Sequence, residues 1–176
     1  MNFYALEQNI STTIYEGLLK IGYLGKEDFS IYYDLDLLNH LLESQFKNNE
    51  ECYSCLSSFT SYMEEKKIPC KVALLQRRFC FTISQKGIEE INTRYDNPFL
   101  KDLLELVKGH VFTLEDVLQI FRKHTDDYVC EESSNEEFQY VIYFRDSSID
   151  PYRYCFSFDG LGGYYHRLLE YDYDKL

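Results

Sequence analysis

Six cysteines and four histidines have the widest chemistry open to them in this chain of 176 residues. Cys52 and Cys55 stand in C-x-x-C spacing with Cys70 and Cys80 downstream, a set of four thiolates that could surround a tetrahedral zinc ion. A structural zinc site wants two close pairs held on turns. Here the first pair lies inside a helical pattern, and the second is split by nine residues of β-prone sequence. Zinc is therefore the lesser expectation and thiols packed in a core the greater. Thioredoxin-type exchange needs its C-x-x-C after a strand and at the opening of a helix, a setting the sequence does not offer. Cys130 and Cys155 complete the set; with no export signal ahead of them, all six are expected as free thiols. No metal and no cofactor are expected.

The histidines His40, His110, His124 and His166 form no HExxH and no i, i+4 pair. His40 sits in an apolar helical pattern and His110 in a loop between two helices. His124 ends a helix, where a cation meets the helix dipole favourably. His166 alone has a β context, inside "FDGLGGYYHRL" at 158–168. Three glycines and an Asp there invite a phosphate-cradle reading, but such a loop needs a helix after it to aim backbone N–H groups at the anion. "GYYHRLLEY" is too rich in Tyr for that helix, and alternating strand residues precede it. A hairpin turn is expected, with Asp159-Gly160 as its signal and Gly162 or Gly163 relieving backbone strain. His166 and Arg167 then point to opposite faces of the last strand.

If a pocket lies between sheet and helices, its polar candidates are Arg77, Arg78, Tyr154, His166 and Arg167. No residue takes a catalytic role: there is no GxSxG elbow, Walker loop, kinase set or dinucleotide fingerprint.

Net charge is -12 and unevenly placed: residues 1–88 carry 9 basic and 11 acidic groups, residues 89–176 carry 9 and 19. Phosphate binding works by releasing counterions to basic groups, so nucleic acid and anionic membrane surfaces are disfavoured partners. The helix pair at 98–124 has helix-turn-helix spacing, yet "TLEDVLQIFRKH" begins with two acids where DNA would approach. Clusters at Glu64-Glu65, Asp126-Asp127, Glu131-Glu132, Glu136-Glu137 and the "EYDYDKL" tail lack the EF-hand ligand pattern and read as a solvated face. Seventeen Tyr and thirteen Phe with no Trp suggest wet-edged strands and an adhesive surface.

These residues must be carried by regular elements. Leu6, Ile10, Ile14, Leu18 and Ile21 mark an amphipathic helix that stops near Gly22. "DFSIYYD" reads as a strand, and Asp34 caps a helix striped by Leu35, Leu38, Leu41 and Leu42. A further helix carries Cys52, Cys55, Leu56, Phe59 and Met63 on one side. "CKVALLQ" and "FCFTI", separated by "RR", predict a hairpin or two adjacent strands. Ser84 caps a helix weakened by Gly87. Asn97 and Pro98 open a helix that ends near Gly109, and Thr113 with Asp116 opens another. From Asp126 onward the pattern is all β: four strands in an antiparallel meander.

The order predicts an α+β fold, an antiparallel sheet or meander with several helices packed on one face, as a single domain over 1–176. Its parts are a helical region 1–68, hairpin and helices 69–125, and the meander 126–170. The stretches "NPFLKDLLELVKGHVFTLEDVLQIFRKH", "DPYRYCFSFDGLGGYYHRLLEYDYDKL", "IYYDLDLLNHLL" and "RRFCFTI" resemble an uncharacterised family of small bacterial proteins, mainly from Gram-positive gut anaerobes. The resemblance implies a cytoplasmic bacterial protein and supplies no catalytic residues. The residues point to a non-enzymatic cytoplasmic interaction module whose acidic, Tyr-rich C-terminal half recognises a protein partner, a basic one by charge. A small-molecule or enzymatic pocket is the alternative, and zinc binding a further one.

Overall fold

The computed structural model describes residues 1–21, 27–109, 111–160 and 162–176. Gly22, His110 and Leu161 fall outside them. The fold is α+β, with two antiparallel sheets of three and four strands, and the two β segments of the sequence do not share a sheet. Contacts divide the chain into two compact units, Met1–Asp96 and Asn97–Leu176.

In the first unit the helices are α1 (Phe3–Ile21), α2 (Leu35–Leu41), α3 (Asn49–Glu65) and α4 (Gln85–Arg94). The strands are β1 (Phe29–Tyr33), β2 (Cys70–Leu75) and β3 (Arg78–Ile83), in the order β1-β3-β2. The caps read from sequence are in place: Asp34 accepts from the Leu37 amide and Ser84 from the Gly87 amide. Period-2 alternation sends Phe79, Phe81 and Ile83 to one face of the central strand, where Phe81 meets Phe59 of α3 and Tyr33 of β1 edge-on at 5.8 and 5.2 Å. Leu6, Ile10 and Ile14 of α1 are buried in this unit's core. The β2–β3 connection is a hairpin turned at Gln76 and Arg77, with Arg78 already in the strand; Gln76 takes a left-handed φ of 57°.

The second unit holds α5 (Pro98–Lys108), α6 (Leu114–His124), β4 (Tyr128–Glu132), β5 (Tyr140–Phe144), β6 (Tyr152–Phe158), β7 (Gly163–Leu169) and α7 (Glu170–Tyr173). The strands run β4-β5-β6-β7, a meander in sequence order. Ile142, Tyr154 and Arg167 lie in register across β5, β6 and β7, which fixes one face. On that face Phe99 of α5 packs against Phe121 of α6 and Phe144 of β5, each at 4.7 Å, and against Tyr154 at 5.3 Å. The capping box on α6 forms as the Thr113 and Asp116 spacing requires.

One expectation needs correction. The chain is not all β after Asp126: it closes with α7, because Arg153 on the other face of β6 pairs with Glu170 and lies under the rings of Tyr143 and Tyr173 at 4.4 and 5.0 Å. These contacts hold the tail against the sheet, and no local pattern announces them. In the hairpin after Phe158, positive φ falls on Gly160 at 82° and not on Gly163. Gly163 is needed for a different reason: a Cβ there would lie 2.8 Å from the Phe112 ring.

Candidate functional site

The most elaborate polar arrangement is built around Asp150, which is 1% exposed. Its Oδ2 accepts from Asn97 Nδ2 at 2.8 Å and its Oδ1 from the Tyr152 amide at 3.0 Å. Asn97 in turn caps α5 through Oδ1, accepting from the Leu100 amide at 2.9 Å. The guanidinium of Arg167 lies 3.9 Å over the Tyr152 ring and in register with Tyr154. Burial pushes the Asp150 carboxyl above the usual carboxylate range, against the Arg167 charge and the hydrogen bonds of Asn97, the Tyr152 amide and Tyr154, which pull it down. The cluster ties the start of α5 to the start of β6 through Asp150. It is a clamp in the fold, not an open site.

Of the five side chains singled out from sequence, the structure brings Tyr154 and Arg167 together in this clamp. His166 leaves the opposite face of β7, exposed between Phe138 at 5.3 Å and Tyr164 at 6.2 Å. Arg77 and Arg78 belong to the first unit, exposed at the β2–β3 turn. Asp150 is legible in the sequence only as part of a turn, "DSSIDP", and Asn97 only as a cap; their joint role depends on two residues 53 positions apart in the chain meeting.

A concave surface of the second unit lies elsewhere. One depression of about 330 Å³ is lined by Val111, Phe112, Thr113 and Leu114 at the start of α6, by Tyr140 and Phe158 on the sheet, and by the hairpin glycines Gly160 and Gly162. A second, of about 480 Å³, is lined by the β4–β5 loop with Glu132 and Glu136. Gln139 and Tyr140 line both, so the two adjoin. The floor is stapled: the Gln139 amide accepts from the Phe158 N–H and donates to the Phe158 carbonyl, both at 3.0 Å. Phe112 meets Phe158 edge-on at 5.9 Å and sits where a Cβ on Gly163 would be. None of the five sequence candidates lines either depression, and among the described residues no Lys or Arg does.

The carboxylates are mostly on the surface. Residues 97–176 contain 16 acidic and 8 basic side chains. Asp126, Asp127, Glu131 and Glu132 flank or lie on the edge strand β4, and Glu136 and Glu137 on the loop after it, all exposed. The tyrosines behave differently from expectation: of the nine in this unit, Tyr164 is exposed while Tyr152, Tyr154 and Tyr165 are buried and the rest are half-buried. Aromatic density here builds the core, and acidity makes the surface.

The remaining titratable groups have structural explanations. His124 Nε2 sits 2.7 Å from Asp102 Oδ2 with its ring edge-on to Phe99. A hydrogen bond from Lys123 foremost, with His124, holds the Asp102 carboxyl below its ordinary range against partial burial. All six cysteines are free thiols. Burial pushes Cys52 and Cys70 up to about 12 and Cys155 to about 11, away from the thiolate that a nucleophilic role needs. Among the described residues no group of three or more His, Cys, Asp or Glu side chains is placed to hold a metal ion, and no helix is long and apolar enough to cross a membrane.

No curated protein and no solved structure matches the chain. A family model described as "Domain of unknown function, E. rectale Gene description (DUF3877)" matches residues 3–176. The two-unit α+β chain, from the first turn of α1 to its last residue, belongs to that family.

Proposed function

We propose that this protein is a non-enzymatic cytoplasmic interaction module that binds a basic protein partner through its C-terminal unit. The observation that carries the reading is the surface charge of residues 97–176, twice as many acidic as basic side chains, with six exposed carboxylates along β4 and the loop after it. Such a field steers a cationic partner and rejects anionic ones, including nucleic acid. Charges on β4 also guard an open sheet edge against pairing with another strand, which acidity alone would explain. The concave surface beside that edge gives the charge something to steer toward. Free thiols, with no disulfide among them, support a reducing compartment.

Cross-linking in native lysate, with the salt set before the reagent is added, followed by mass spectrometry tests the reading. The expected result is a basic partner cross-linked to residues within 97–176 at about 0.1 M salt and not at about 0.5 M, as screening shortens the reach of the charges. A partner attached only through residues 1–96, or one that high salt leaves bound, would overturn it.

A further inference from the structure

We infer that the trough formed by the two adjoining depressions in the C-terminal unit is the docking seat for an extended peptide segment. Its occupant carries one bulky apolar side chain with Lys or Arg a few residues to one side. The inference rests on the proposed function and names the site and the recognition rule.

The two ends of the trough differ in chemistry. At one end Phe112, Leu114, Tyr140 and Phe158 offer aromatic and aliphatic surface in a space of about 330 Å³, a volume that takes a single large side chain with room for its flanking backbone. Val111 stands at its rim, 79% exposed, the most exposed large apolar side chain of the chain's described residues. At the other end Glu132 and Glu136 face the larger depression, with Ser133, Ser134 and Asn135 between them. Asp159 follows Phe158 at the hairpin and Glu115 follows Leu114, both exposed, so the apolar end is also flanked by acid. No described Lys or Arg lines the trough, so a cation entering it meets attraction without a competing internal partner.

The occupant follows from this pattern. A purely apolar ligand would leave the acidic end unused, and an acidic segment would be repelled along its whole length. An anchor and a cation on one extended chain match both ends, with the carboxylates steering arrival and the anchor slowing departure. The floor is braced before binding by the paired hydrogen bonds of Gln139 to Phe158 and by the Phe112 ring packed close over Gly163, which lowers the cost of ordering it.

The test selects peptides from a fully randomised display library against the full chain, then titrates the enriched sequences while following backbone amide shifts. Enriched peptides should share a large apolar residue near Lys or Arg and shift amides at Val111–Leu114, Glu132–Glu136 and Tyr140. Val111→Arg, at an exposed rim position that folding does not need, should weaken them about tenfold, as loss of an anchor contact does. The pair Glu132→Lys and Glu136→Lys should weaken them and flatten their salt dependence. Basic peptides that shift amides elsewhere in residues 97–176 would overturn the trough and leave the proposed function standing. No enrichment, or enrichment of uncharged or acidic sequences, would overturn both.

Discussion

At Asp150 a carboxyl group is enclosed with three hydrogen-bond donors and a guanidinium, and its behaviour with pH reports on that enclosure. Its folded pKa is raised above that of the unfolded chain, near about 3.9. The folded state therefore holds the proton more tightly, and stability falls as pH rises from the unfolded value through the folded one, then levels off. Asp150→Asn cannot titrate, so its stability relative to wild type should improve across that window in urea unfolding at stepped pH. Asp150→Ala leaves Asn97 and the Tyr152 amide without their acceptor beside a partly buried guanidinium, and should cost about 3 kcal/mol at neutral pH in the same assay. An Asp150→Asn curve parallel to wild type would show that the carboxyl titrates alike in the folded and unfolded chain.

Among the elements, two helical glycines of the first unit predict opposite outcomes. A Cβ on Gly87, in the first turn of α4, would lie 2.9 Å from Ile83 Cγ2 and 3.2 Å from Ile68 Cγ2, so Gly87→Ala should destabilise by about 1–3 kcal/mol through overpacking. Gly17 lies within α1 with nothing inside 4 Å of the added carbon. Gly17→Ala should stabilise by about 0.5–1 kcal/mol, since alanine gives up less backbone freedom on entering a helix. Thermal unfolding of the two variants beside wild type checks both signs. The tail makes a third case: α7 spans four residues and has no side-chain cap, so it persists through Arg153. Arg153→Ala should raise hydrogen exchange at the Asp174 amide, which bonds the Glu170 carbonyl at 2.9 Å, and leave the β5–β6 amides protected. Unchanged exchange at Asp174 would mean that other contacts hold the tail.

For the whole molecule the deciding quantity is charge. The net -12 divides as -4 over residues 1–96 and -8 over residues 97–176, so the second unit carries most of the self-repulsion. Screening relieves it: raising salt from about 0.02 to about 0.2 M should raise the unfolding temperature in scanning calorimetry. A fall would show that the exposed ion pairs, such as Arg145 with Asp127, outweigh the repulsion.

The helices, their caps and the order of the meander could be read from the sequence because each rests on local physics. Side-chain period selects helix or strand, and Asp34, Ser84, Asn97 and Thr113 satisfy backbone N–H groups within three residues of themselves. Charge and its asymmetry were legible for the same reason, being sums over residues. What only the tertiary structure decided are relations between distant residues: the separation of the two sheets, Asn97 meeting Asp150, Arg153 holding α7, and Gln139 stapling the trough floor to Phe158. Among the candidate residues, strand alternation already put His166 and Arg167 on opposite faces, while strand register between β6 and β7 brought Tyr154 to the face of Arg167. The trough itself left no local trace. It forms where the start of α6, the β4–β5 loop and the β6–β7 hairpin converge, and convergence of segments far apart in the chain is set by packing, which has no period to read.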